Sequence, residues 1–275
     1  MTSRERVRRA IEGKPVDRYP IDLGMHFSTG ISVFGYYNLR KYLGLSTDSV
    51  HLVDTVQMLA AVDDDVRDMF HIDTTLLYPI AREEKRWRPR EGYEFLVPRN
   101  FCAELQPNGD HIRTSANPSD NRRMRMPQGG FFADGDWLQI CDDYGDDFVR
   151  VLARQAEALT KDSERFYCLM SVFTGFFTGI DMACDMLTDP DLVHGYNRKL
   201  LEEQKRIVDL FARSGGEYAD AIEINSDLGM QNMPMLSPDS YWWRSSSNHQ
   251  KGICVGLGNH SLLTMSHWHC NAWRV

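Results

Sequence analysis

Asn225, Ser226, Asp227, Gln231 and Asn232 crowd into eight consecutive positions. A carboxylate among carboxamides and a hydroxyl can grip a small polar ligand and hold or move a proton. The run follows Ala221-Ile222-Glu223-Ile224, which is short, apolar and β-branched enough for a core strand. It precedes Ser237-Pro238-Asp239, where Ser237 reads as an N-cap and Pro238 as the first turn of a helix. In parallel α/β folds ligands sit beyond the C-terminal ends of strands. The segment Tyr19–Leu23 is a second candidate strand, and Asp22 and His26 stand at its end, in and before the loop Gly24–Gly30. Tyr78 lies near the end of a third candidate strand, Ile72–Ile80. Asp227 and His26 are the candidate catalytic groups. Gln231, Asn232, Tyr78 and Asp22 are candidates to bind substrate, and no metal ligand is assigned. Structural readings stand beside these: the polar run also suits a solvated loop and helix cap, and His26 a hydrogen-bonded loop histidine.

The elements around these residues alternate. Thr2 with Glu5 forms a capping-box pattern for a helix to about Glu12. Helical segments are expected at Tyr36–Leu43, Asp64–Phe70, Phe148–Ser163 and Asp191–Ser214. The last has Thr188 or Asp189 as cap and Leu192, Tyr196, Leu200, Ile207 and Phe211 at helical spacing. A strand is expected at Phe166–Val172, followed by the loop Phe173–Gly179, whose aromatic rings suit core packing or a flat partner. Between Arg86 and Arg125 aromatic and polar residues alternate, and Asn108-Gly109 is a hairpin signal. That stretch reads as a β-hairpin insertion of about residues 86–126. The alternation of strand and helix implies an α/β fold with a mainly parallel sheet.

Composition fits a globular chain, with 42% hydrophobic and 25% charged residues. A net charge of −8 excludes a chain-wide basic field for nucleic acid. Arg122-Arg123-Met124-Arg125 reads as a solvated loop face. No apolar stretch is long enough to span a bilayer, and the charged N-terminus lacks a signal core. The expected compartment is cytoplasmic. The six cysteines include no CxxC pair, so neither a disulfide framework nor a zinc finger is indicated. Cys102, Cys141, Cys168 and Cys184 read as buried small hydrophobes.

Two motifs carry a family resemblance. Asp227-Leu228-Gly229-Met230-Gln231 followed by Ser237-Pro238-Asp239-Ser240-Tyr241 resembles a strand-end motif of the uroporphyrinogen decarboxylase superfamily. That superfamily also contains cobamide-dependent methyltransferases. Ser3-Arg4-Glu5-Arg6-Val7 through Gly13-Lys14-Pro15-Val16-Asp17-Arg18-Tyr19-Pro20 is similar to the superfamily's opening. The resemblance runs from residue 3 to about residue 242. It implies a partial TIM-type (β/α) barrel over residues 1–240, carrying the β-hairpin insertion.

The resemblance also separates two chemistries. The decarboxylases hold substrate carboxylates with an early arginine-rich loop, and arginine suits that task through its bidentate fork. Here the corresponding place reads Leu23-Gly24-Met25-His26-Phe27-Ser28. Their second-strand Ser-Asp aligns with Pro79-Ile80. Both signatures are missing, so the resemblance implies the methyltransferase-like branch, with zinc and a corrinoid partner. The expected reaction moves a methyl group to or from a thiol or corrinoid. The alternatives are uroporphyrinogen decarboxylation and an inactive or partner-completed barrel. Expected partners are a small molecule or corrinoid protein, and a second copy or other chain that completes the barrel.

Residues 241–275 differ in texture. No Asp or Glu follows Asp239 in a chain that holds 39, and four of the six Trp lie in this tail. The segment shows little helical or strand period. It reads as a frameshifted or truncated continuation that leaves strand edges uncovered; the rival is a specialised native tail. Cys254, His260 and Ser266-His267-Trp268-His269-Cys270 differ from the branch's His-x-Cys ligand element.

Overall fold

A computed structural model describes residues 1–77, 83–114, 123–128, 130–135, 148–161, 163–173, 180–225, 232, 237 and 263–267. The chain divides into two compact units. One holds Met1–Thr75, Pro79–Val151 and Glu164–Phe166; the other holds Leu76–Tyr78, Leu152–Ser163 and Tyr167–Val275.

In the first unit, helix α1 (Ser3–Ile11) starts with a complete capping box between Thr2 and Glu5. Two of the otherwise orphaned N-terminal donors are thereby satisfied. Thr2→Ala is expected to cost about 1 kcal/mol, read as a lower urea midpoint with unchanged slope. Helix α2 (Val33–Tyr42) buries Val33, Phe34, Tyr36 and Arg40. Tyr36 and Arg40, one turn apart, reach the start of α3 (Asp64–Met69). The Tyr36 hydroxyl donates to Asp63 Oδ2 at 2.8 Å and accepts the Asp63 N–H at 2.7 Å. Burial first, with the Asp63 charge, pushes its pKa up to about 12. Arg40 binds Asp65 through two nitrogens at 2.8 and 2.9 Å and Asp63 at 2.7 Å. Carboxylates at a helix N-terminus favour the dipole, and here they also anchor the buried guanidinium.

Strands β1 (Leu52–Asp54) and β2 (Leu59–Ala60) pair antiparallel. β3 (Thr74–Leu77) begins on the buried residues Thr74 and Thr75, just after the buried Asp73. β4 (Glu84–Trp87) and β5 (Phe95–Pro98) form a hairpin. β6 (Glu104–Leu105), β7 (His111–Thr114), β8 (Arg123–Met126) and β9 (Asp134–Gly135) form an antiparallel sheet in that order. The β6–β7 turn uses Gly109 at φ 88°, a conformation glycine adopts without a Cβ penalty. Residues of α2, β5 and β8 and of the segments beside β1, β2, β6 and β9 form a core of Val33, Phe34, Val50, Met58, Phe95, Val97, Phe101, Met124, Met126 and Phe132. Arg113 is buried against it, with its guanidinium 5.5 and 5.7 Å from the Phe101 and Phe132 rings and bonded to the Thr55 carbonyl at 2.9 Å.

In the second unit, α4 (Phe148–Thr160) leads into β10 (Phe166–Phe173), then α5 (Ile180–Thr188), α6 (Pro190–Gly215) and β11 (Ala221–Asn225). Asp189 Oδ1 accepts the Leu192 N–H at 3.1 Å, with Pro190 at the first helical position. β10 pairs parallel with β11, and β11 pairs parallel with β12 (Leu263–His267). The sheet order is β3, β10, β11, β12. The fold is mixed α/β, and no closed barrel forms among the described residues.

Several sequence expectations change. Tyr19–Leu23 is not a strand. The Asp73 N–H donates to the Ile21 carbonyl at 2.8 Å, but the Ile21 N–H goes to the Asp73 carboxylate at 2.9 Å, so side chain replaces ladder. The tail was expected to lack strand character, yet Leu263–His267 forms β12 along the β11 edge. Arg123–Met126 is a strand rather than a loop face: Met124 and Met126 are buried, while Arg125 pairs with Asp110 and Asp134. At the start of α6, Val193 and Asn197 are buried, whereas Leu192 and Tyr196 are 56% and 40% exposed. Cys168 is buried, but Cys102 and Cys184 are exposed, because Cys102 sits in the loop after β5 and Cys184 on an outward turn of α5. Cys141, Arg122 and loop residues 174–179 lie outside the described residues.

Candidate functional site

Three backbone chains end in line in the second unit. Phe173 of β10 stands in register with Asn225 of β11, and Asn225 with His267 of β12. Parallel pairing in this order puts the C-terminal ends of the strands on one edge, and the polar run begins at that edge. Of its members, Asn232 is exposed, while Asp227 and Gln231 lie outside the described residues, as does Tyr78. Glu223 pairs in register with Met265.

Asp22 and His26 belong to the first unit. Asp22 Oδ1 accepts the Met25 N–H at 3.0 Å and the Thr74 hydroxyl at 2.5 Å. It thus ties the loop after Tyr19–Leu23 to the first residue of β3. Gly24 turns the chain at φ 80°, and a Cβ there would lie 3.2 Å from Val62 Cγ2. His26 is 5% exposed. Its Nδ1 accepts the Ser28 N–H at 3.0 Å, capping the 3-10 turn Phe27–Thr29. A nitrogen that accepts an N–H carries no proton, so the neutral ring holds its proton on Nε2. Asp22 and His26 therefore share one loop, with Asp22 Oδ1 and His26 Nδ1 both engaged in shaping it. Thr74→Val removes the Asp22 partner and is expected to cost about 1 kcal/mol, with faster hydrogen exchange confined to residues 22–30.

A charge cluster among the described residues lies outside the candidate set. Asp73 is 0% exposed. Its carboxylate accepts from Ser3 Oγ at 2.7 Å, Arg6 Nη1 at 2.5 Å, Arg18 Nη1 and Nη2 at 2.6 and 2.9 Å, and the Ile21 N–H. Arg6 also bonds Asp17 at 2.6 and 2.8 Å. Burial pushes the Asp73 carboxyl up, but the bonds from Arg18, Ile21, Ser3 and Arg6 outweigh it and hold it below its usual value. The side-chain hydrogen bond to Asp17 is the main reason Arg6 is raised above its ordinary value. A carboxylate at the head of an apolar strand was the available signal, because such a charge must be paired.

No three His, Cys, Asp or Glu side chains come together among the described residues, so these residues do not form a zinc ligand set. His269, Cys270, Cys254 and His260 lie outside them. No described helix is long and apolar enough to cross a membrane. Comparison of the chain with family models, curated proteins and solved structures yields no match.

Proposed function

We propose that this chain is a (β/α)-barrel relative of the uroporphyrinogen decarboxylase superfamily, in its methyltransferase-like branch. In this reading it binds a small molecule at the C-terminal ends of its parallel strands and moves a methyl group to or from a thiol or corrinoid. The observation that carries the reading is the register of Phe173, Asn225 and His267 at one sheet edge, with Asp227 and Gln231 next along the chain. Rigid strands that end together hold the loops after them in fixed relation, which is what positioning a substrate requires. The N-terminal opening adds support, since Ser3, Arg6 and Arg18 of that motif converge on Asp73. Asp227 then orients the substrate through its carboxylate and Gln231 through its carboxamide. Asp22 and His26 shape a loop rather than carry a step.

The test is turnover by the purified chain, with methylcobalamin and a thiol in one assay and uroporphyrinogen in another. The reading expects methyl transfer that Asp227→Asn lowers at least tenfold without lowering the unfolding midpoint. Decarboxylation of uroporphyrinogen without methyl transfer would replace it with the decarboxylase alternative.

A further inference from the structure

Two histidines grip β4 from opposite ends. At its start, His51 Nδ1 lies 2.9 Å from Glu84 Oε1, in a pair whose side chains are 24% and 20% exposed. At its end, the His111 ring stands edge-on to Trp87, with centroids 5.4 Å apart and planes at 77°. Trp87 itself packs on Phe101, 4.9 Å between centroids, so this contact seats the hairpin on the core. His111 is 4% exposed, and its Nδ1 is buried with no hydrogen-bond partner. The Pro89 carbonyl favours the charged ring, but that ring would carry a buried Nδ1–H with no acceptor.

The two rings make opposite demands on the proton. A proton on His51 converts its contact with Glu84 into a charge-assisted bond. A second proton on His111 would bury an N–H that has no acceptor. We propose that β4 is a two-sided pH-sensitive element: the β4–β5 hairpin is seated best when His51 is charged and His111 is neutral, and loosens on either side.

His51 faces Glu84 and, farther off, Asp63; the Glu84 hydrogen bond is the largest influence and raises its pKa. His111 faces Asp110, which favours its charged form, and Arg90, which opposes it; burial is the largest influence and lowers its pKa. With the ordinary value at about 6.5, the His51 contribution is complete below that pH and is lost as pH rises through the raised value. The folded chain refuses His111 a proton that the unfolded chain accepts, so stability falls as pH drops below about 6.5. The two limbs meet near the ordinary histidine value.

The experiment is an NMR titration of the histidine rings in the full chain, with thermal midpoints across pH for the wild type, His51→Gln and His111→Phe. The expected result is His51 titrating above, and His111 below, the exposed histidines. His51→Gln should flatten the alkaline limb of the midpoint curve, and His111→Phe the acid limb. Should His111→Phe fail to fold, the wild-type titration decides. A His111 ring still neutral where exposed histidines are half charged supports the proposal, and one half charged there overturns it. Variant midpoints that run parallel to the wild type at every pH also overturn it.

Discussion

Asp73→Ala is expected to lose about 3–5 kcal/mol of stability, because removing one partner of a buried ion cluster leaves the others uncompensated. Arg6, itself 6% exposed, would keep Asp17 but lose its contact with Asp73. Arg18 would keep only the Tyr19 and His71 carbonyls, and the Ile21 N–H would lose its acceptor outright. The segment 15–21 and the start of α1 would both come loose from β3. Urea unfolding and hydrogen exchange measure this: the midpoint should drop sharply, with protection lost first over residues 3–21. A drop below about 1 kcal/mol would show that the cluster is not what holds this segment. Asp73→Asn should fall between, since its amide keeps an acceptor oxygen but loses the charge. The pH dependence follows from the depressed Asp73 carboxyl. Its contribution is fully present above the ordinary aspartate value of about 3.9 and is lost as pH falls through the lower folded value. The Asp73→Ala variant should therefore show a flatter acid limb than the wild type.

Phe95→Ala is the second large effect, expected at about 3–5 kcal/mol. Phe95 is 1% exposed and lies at the centre of an aromatic group. Its ring stands edge-on to Phe34 at 5.2 Å and to Tyr37 at 5.9 Å, and tilted to Tyr93 at 6.0 Å and Trp87 at 6.2 Å. Truncation leaves a cavity lined by these rings and removes the edge-to-face contacts, each about 0.5–1.5 kcal/mol beyond area burial. Phe95→Leu refills most of the volume and should cost clearly less. Thermal unfolding with tryptophan emission reads both, because Trp87 borders the cavity. Equal losses for the two variants would mean that shape, not volume, sets the cost at this position.

Short-range signals in the chain were enough for α1, for α6 and for β11. The capping pair Thr2 and Glu5, the Asp189-Pro190 start and the β-branched run Ala221–Ile224 each act within a few residues, so local composition suffices. Asn108-Gly109 marked the β6–β7 turn for the same reason. Of the candidate site, the strand that ends at Asn225 was legible, as was the loop holding Asp22 and His26.

What the sequence alone determined, then, is the element set written in local caps, turns and periodicities. Only the tertiary structure decided the rest, where one residue's partner lies tens of positions away. Asp73 takes the Ile21 N–H across 52 residues, which denies Tyr19–Leu23 a ladder despite its strand-like composition. Leu263–His267, with no strand period of its own, becomes a strand because the β11 edge offers it a row of backbone partners. Val193 and Asn197 turn inward on α6 in place of Leu192 and Tyr196, because packing against neighbouring elements sets a helix's rotation and its own periodicity does not.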